Sequence, residues 1–302
     1  RTMLPIVLSD SLCSLTQNES RFALELQLTI KDNDIVDYKF YNSVIKVKKN
    51  LRYDTEEQEN YADYKKIFSL VKQMNTVNKY SESIDNSHDV VQYLMVNMNY
   101  LSAKELIKLE SGVFRGAKFN DTVSTEEMPT KVKKFLKNWN SSGGKYSKKF
   151  GDHDMLQLDA YVHITSPIRR LVDLLNIMTL QDKLGLLVMS SKAKNFYERW
   201  TSDSSIEYIN TNMRATRRVQ NDCNLLEMCM NDIDILNKVY DGYIFDKSQR
   251  DDKIQYTVYL QELNMVNRFI SRHIKNYTKQ KFKIFVFTEQ YSLKRKIRVE
   301  MQ

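Results

Sequence analysis

The chain reads as an α+β protein, with a long, mainly helical first part and a short last part built of strands. Three observations carry that reading. Apolar residues recur at helical spacing over 55–76, 88–110, 168–178, 192–200 and 206–236. Before them, residues 21–48 alternate apolar and polar with the period of a strand. Beyond about residue 237 the helical period disappears and short alternating runs take over.

The bulk numbers set the frame. A chain of 302 residues with 42% hydrophobic content can bury one large core plus a smaller module. A formal net charge of +8 favours a polyanionic partner, although charge alone does not separate RNA, DNA and an acidic membrane. The three cysteines Cys13, Cys223 and Cys229 have no CxxC spacing, and an odd count argues against a disulfide framework, so a reducing compartment (cytoplasm or nucleus) is expected. No apolar run approaches the roughly 18 residues of a membrane span, so no membrane partner is expected. The chain opens on Arg1 and directly on a motif, so a longer parent protein is expected.

In chain order, Phe22, Leu24, Leu26 and Leu28 alternate with polar neighbours, and Lys31-Asp32-Asn33-Asp34 turns the chain back. Asp32, Asp34 and Asp37 are ligand types, but a polar hairpin turn explains them better than a metal. Helices follow over 55–76 and 88–110, the second with Val91, Leu94, Met98 and Leu101 at helical spacing. The stretch 131–154 is mixed, with Asn138, Asn140, Ser141, Ser142, Gly143 and Gly144 marking a loop. Gly144-Lys145 is no phosphate-cradling P-loop, because the first glycine and the hydroxyl residue after the lysine are missing. Asp152-His153-Asp154 reads as a solvated turn, with no partner histidine at metal spacing.

The run Tyr161-Val-His-Ile-Thr-Ser-Pro-Ile-Arg-Arg170 is the most informative. Ser166 suits an N-cap and Pro167 the first helical position, which would place Arg169 and Arg170 in the first turn of a helix. There they lose roughly 0.3–1 kcal/mol each against the helix dipole unless an anion faces them. Local physics leaves two readings: a phosphate held by the guanidinium groups, or arginines paired with nearby carboxylates. Further on, Val219, Cys223, Leu226 and Met230 form a helical stripe, with Arg214, Arg217 and Arg218 on its flank. In the tail, Val239–Phe245, Gln255–Leu260, Phe282–Phe287 and Ile297–Val299 read as strands of a small β-barrel around a polar turn over 247–253. From Arg268 onward, Arg272, Lys275, Lys279, Lys281, Lys283, Lys294, Arg295, Lys296 and Arg298 face only Glu289 and Glu300. Interleaved with Phe282, Phe285, Phe287 and Tyr291, they suit a single-stranded nucleic-acid surface.

Thr165-Ser-Pro-Ile-Arg-Arg170 followed by Asp173 closely resembles the signature of the RNB family, the ribonuclease II and exosome-type 3′→5′ exoribonucleases. Met3-Leu-Pro-Ile-Val-Leu-Ser-Asp-Ser-Leu-Cys-Ser-Leu15 with Arg21 is similar to the family's "LP…LS…LCSL…R" segment. Ser43-Val-Ile45 leading to Leu51-Arg52-Tyr53 is similar to its "I.S…L.Y" stretch. The resemblance implies the C-terminal portion of an RNB catalytic domain (1–236) followed by an OB-fold, S1-like barrel (237–302) that grips RNA. It also implies processive, metal-assisted hydrolysis of single-stranded RNA to nucleoside monophosphates, with Mg²⁺ held by aspartates expected upstream of this chain, so that the chain alone is expected to be inactive. By the same resemblance, Arg169 faces the scissile phosphate as the catalytic arginine. Ser166, Arg170, Tyr53, Arg217, Arg218 and Gln220 are RNA contacts, Tyr53 positioning the 3′-terminal nucleotide. Asp173 braces the arginine helix. The expected partner is single-stranded RNA, with an exosome-like or RNA-processing complex as the wider assembly.

The chain departs from the family pattern in places. Gln92-Tyr93 stands where the family has a Glu pair, and Ile177-Met178 replaces its His-Arg pair. These changes leave an alternative: a catalytically inactive, RNB-derived RNA-binding module.

Overall fold

The computed structural model describes residues 4–117, 128–142, 144–154, 156–250, 253–275, 277–291 and 294–302. The chain divides into two compact units, Arg1–Phe119 with Gly143–Glu207, and Asn120–Ser142 with Tyr208–Gln302. Met3 of the N-terminal motif, Gly143 and the centre of the polar segment 247–253 lie outside the described residues.

In the first unit, β1 (Ser20–Lys31) and β2 (Asp34–Lys46) form an antiparallel hairpin. Asp32 and Asn33 between them take φ of +52° and +65°. Two successive left-handed residues make a turn whose twist matches the strands, and Asp and Asn tolerate it. The acidic stretch is therefore the hairpin's tip. Phe40, with Leu24, Leu26 and Tyr38 beside it, packs into a core containing Leu106, Phe114, Val162, Ile164 and Leu180. The helix expected over 55–76 is two helices, α1 (Glu56–Asn60) and α2 (Ala62–Val77), parted where Tyr61 turns extended at ψ 121°.

α3 (Ser87–Lys108) opens on a capping box in which Asn86 and Asp89 satisfy each other's backbone N–H. Its inward face holds Val90, Tyr93, Val96, Asn97 and Leu101, while Val91 is exposed. Of the expected stripe, Leu101 is buried and Leu94 and Met98 pack against core clusters, so only Val91 departs, while Tyr93, Asn97 and Asn99 are buried as well. Strand β3 (Phe114–Gly116) pairs antiparallel with β4 (Lys145–Ser147). α5 (Leu171–Lys183) buries Val172, Leu175 and Leu180, each worth about 1.5–3 kcal/mol of apolar burial. α6 (Ser191–Trp200) follows, capped by Ser190.

In the second unit, β5 (Val239–Arg250), β6 (Lys253–Leu260), β7 (Met265–Ser271), β8 (Lys279–Thr288) and β9 (Arg295–Met301) run in the order β7-β6-β5-β8-β9, a nearly closed barrel. Its interior holds Tyr240, Ile244, Tyr256, Val258, Leu260, Phe269, Phe282, Ile284 and Val299. Gly242 lies so close to Phe282 and Val258 that a Cβ would collide with both. Strand β7 was not foreseen, because Asn267 and Arg268 break its alternation.

Two helices of this unit also differ from expectation. α4 (Thr130–Ser142) continues through Asn138–Ser142, where a loop was expected, and lays Val132 and Leu136 on the barrel. Packing against an aromatic face outweighs the weak helix preference of Asn and Ser. In α7 (Asp203–Asn231) the residues buried in the barrel core are Leu225 and Cys229, whereas Val219, Cys223 and Met230 are exposed. The barrel takes the face one step round the helix from the stripe of Val219, Cys223, Leu226 and Met230.

Candidate nucleic-acid interface at the arginine turn

The backbone approaching the arginines is held from both sides by buried asparagines. Asn99 on α3 accepts from Ile164 N–H at 3.1 Å and donates to Tyr161 Oη at 2.8 Å. Asn176 on α5 donates to the His163 and Val113 carbonyls at 3.0 Å each and accepts from Val113 N–H at 2.8 Å. Both are fully buried. Each replaces water with protein partners, the condition under which a buried amide is tolerated. A buried Asn inside an apolar helical stripe was the sequence signal for this bracing.

The chain then turns at Ser166-Pro167-Ile168-Arg169. Arg169 N–H and Arg170 N–H both donate to the Ser166 carbonyl, at 3.2 and 3.0 Å. α5 begins only at Leu171, with Arg170 in the cap position. Ser166 is therefore not the N-cap, and the arginines precede the helix instead of occupying its first turn. The reason is Asp173. Its carboxylate accepts from Ser166 N–H at 2.7 Å and from Arg170 Nε and Nη2 at 2.9 Å each. That fork, with the Ser166 N–H on the same carboxylate, ties the turn to the start of α5.

Asp173 is fully buried, and burial pushes its carboxyl up while the Arg170 pair and the Ser166 N–H pull it down. Arg170 thus follows the carboxylate-pairing reading, its fork occupied. Arg169 is exposed at the outer corner of the turn.

Around this turn sits a cluster that the sequence reading did not single out. Tyr146 Oη lies 2.6 Å from His163 Nδ1, and the buried Arg115 guanidinium lies 5.3 Å from the Tyr146 ring centroid. A Cβ on Gly144 would come within 2.7 Å of the Arg115 guanidinium, so a side chain there would displace it. Burial, then Arg170 and Arg115, push the His163 imidazolium down to about 2, which keeps the ring neutral. His153 is buried 4.9 Å from the Tyr161 ring, lowered by burial and then by Arg115. Of the expected solvated turn Asp152-His153-Asp154, the histidine is buried while Asp152 stays exposed. His153 bridges to Ala117 and Leu158 through its backbone, and that pairing draws its ring inward.

Tyr53 stands in a separate loop of the same unit. Nearly half exposed at 48%, its ring stacks on His88 at 4.1 Å, and His88 Nε2 lies 3.4 Å from Asp54. Ser87 Oγ donates to Asp54 at 3.1 Å, tying the loop to the start of α3. Gln220, Arg217 and Arg218 are exposed on the part of α7 that belongs to the second unit. The structure therefore brings Ser166, Arg169 and Arg170 together on one turn. At the position of the family's Glu pair, Gln92 is exposed and Tyr93 is fully buried.

Among the described residues, no group of three or more His, Cys, Asp or Glu side chains is placed to hold a metal ion. The described residues therefore do not fit the Mg²⁺ that the family resemblance implies. No helix among the described residues is long and apolar enough to cross a membrane.

The RNB domain profile matches residues 1–89 and 66–185. The ribonuclease R of Chlamydia pneumoniae is 25% identical over 281 residues, covering 65% of this chain and 41% of that relative. Mycoplasma genitalium RNase R in complex with double-stranded RNA superposes with a TM-score of 0.65 at 16% identity, over 99% of this chain and 64% of that one. Yeast Ssd1, described as a pseudonuclease, superposes with a TM-score of 0.54 at 13% identity, over 88% of this chain and 41% of its own. The chain thus spans about two fifths of the ribonuclease R sequence it matches. With the domain profile matching more than half of its residues, the chain belongs to the RNB family.

Proposed function

We propose that this chain supplies the phosphate-facing part of an RNB-type exoribonuclease that shortens single-stranded RNA from its 3′ end. The observation that carries the reading is the division of labour between two adjacent arginines. Arg170 is locked on Asp173, and Arg169 is left exposed at a turn of fixed geometry. A cation fixed in advance offsets charge that develops on a phosphoryl group without reorganising during the reaction. Arg169 is therefore assigned to the scissile phosphate. Arg170 contributes charge and bracing with its fork already engaged, and the Ser166 hydroxyl lies on the same turn. The half-exposed Tyr53 ring, backed by His88, is assigned to the 3′-terminal nucleotide, and Arg217, Arg218 and Gln220 to the RNA backbone. Hydrolysis in this reading uses Mg²⁺ held by carboxylates that the described residues do not supply.

A second reading, an RNB-derived module that binds RNA without cutting it, draws support from the buried Tyr93 that stands where the family has a glutamate. Likeness to a pseudonuclease fold adds to it. The test is degradation of a 5′-labelled single-stranded RNA by the full-length gene product, with Mg²⁺ and with EDTA. Stepwise, metal-dependent shortening from the 3′ end supports the exonuclease. Tight binding with an intact strand supports the binding module.

A further inference from the structure

His163 flanks the arginine turn, and α5 sets its place. Asn176 donates to the His163 carbonyl at 3.0 Å, while Asp173 holds the Ser166 N–H and the Arg170 fork. Asp173 and Asn176 are three residues apart and share one face of α5. The histidine and the turn are therefore docked side by side on that face. After burial, the guanidinium groups of Arg170, Arg115 and Arg169 all act on the imidazole, and together they hold it uncharged.

The two ring nitrogens have different surroundings. Nδ1 lies 2.6 Å from Tyr146 Oη. Burial pushes the Tyr146 phenol up, so the hydroxyl keeps its proton, and the Arg115 guanidinium also hydrogen-bonds it. A guanidinium can only donate, which leaves the phenol proton for Nδ1. Nδ1 therefore accepts, and the ring's own proton belongs on Nε2. The nearby His153 Nδ1 and Thr165 Oγ1 are buried without partners. His163 Nε2 differs: it has no hydrogen-bond partner among the described residues, yet it is reached by solvent. The turn thus presents a donor of fixed tautomer beside the exposed Arg169. A phosphate has oxygens for both, one for the guanidinium and one for the imidazole N–H. An uncharged donor also adds a directed hydrogen bond without setting another positive charge against the guanidinium groups.

We infer that the Nε2–H of His163 is a second donor to the RNA phosphate that Arg169 faces, with Tyr146 as the positioning residue that fixes its tautomer. This rests on the proposed reading of RNA bound at the arginine turn. The test is nitrogen-15 NMR of the full-length gene product labelled at histidine, titrated with a short single-stranded RNA in EDTA. The His163 signal is the one that His163→Gln removes and Tyr146→Phe shifts, and anisotropy of the same RNA carrying a fluorophore reports binding separately. The free protein should show the Nε2–H form, and RNA should shift that N–H resonance and slow its exchange with water. Tyr146→Phe should move the ring toward the Nδ1–H form, which a merely space-filling tyrosine would not control. An Nε2–H resonance that stays in place while anisotropy shows the RNA bound overturns the inference and leaves RNA binding intact. A protein that fails to bind RNA overturns the RNA reading and this inference with it.

Discussion

Arg170 and Asp173, three residues apart, meet through two hydrogen bonds of 2.9 Å, and this pair decides what the arginine motif can do. One guanidinium is committed to a fully buried carboxylate, which also caps the Ser166 N–H. The neighbouring guanidinium is thereby held outward on a rigid corner.

Asp173→Asn keeps the side chain's shape and removes its charge. It should cost roughly 2–4 kcal/mol, below the range for a fully buried pair because Arg170 keeps 28% side-chain exposure. Urea unfolding checks this. A loss under about 0.5 kcal/mol would mean that the pair does not brace the turn.

Acid should weaken the first unit through its histidines. His163 is pushed down to about 2 in the folded chain, against about 6.5 when unfolded, and His153 is lowered in the same direction. Between those values the unfolded chain binds protons that the folded one does not. Stability is therefore unaffected above about pH 6.5 and declines as pH falls below it. From pH 7.5 to 5.0 the His163 contribution should be about 1–2 kcal/mol. His163→Gln should flatten the pH dependence of the urea midpoint. An equally steep profile in that variant would assign the effect elsewhere.

The second unit depends on α4. Phe135→Ala removes the ring stacked on Tyr259 and should cost about 2–4 kcal/mol, at the low side because Phe135 is only partly buried. Trp139, seated against Phe245, reports the change locally through its emission. An unchanged spectrum and urea midpoint would indicate that α4 does not hold this face.

Local patterns carried much of the fold. The Asp32-Asn33 turn and the β1–β2 alternation were legible because each rests on neighbouring residues. The motif words carried the arginine turn, but its geometry was misread. Ser166-Pro167 is a good local helix start, but Asp173, foreseen only as a brace, takes the Ser166 N–H as well as the Arg170 fork, and the helix begins at Leu171. The exposure of Val91 and Val219 has the same origin, since a helix turns its face to the tertiary partner that needs it. Arg115, Tyr146 and His163 escaped notice because contacts distant in sequence assemble them.

The most direct test of the central claim is Arg169→Ala in the full-length gene product, with single-turnover RNA cleavage and RNA affinity measured side by side. If Arg169 faces the scissile phosphate, cleavage should slow by the equivalent of about 2.7–4 kcal/mol, roughly 10²–10³-fold, while affinity and the unfolding midpoint change little. An unchanged cleavage rate, or a loss confined to affinity, would contradict that role.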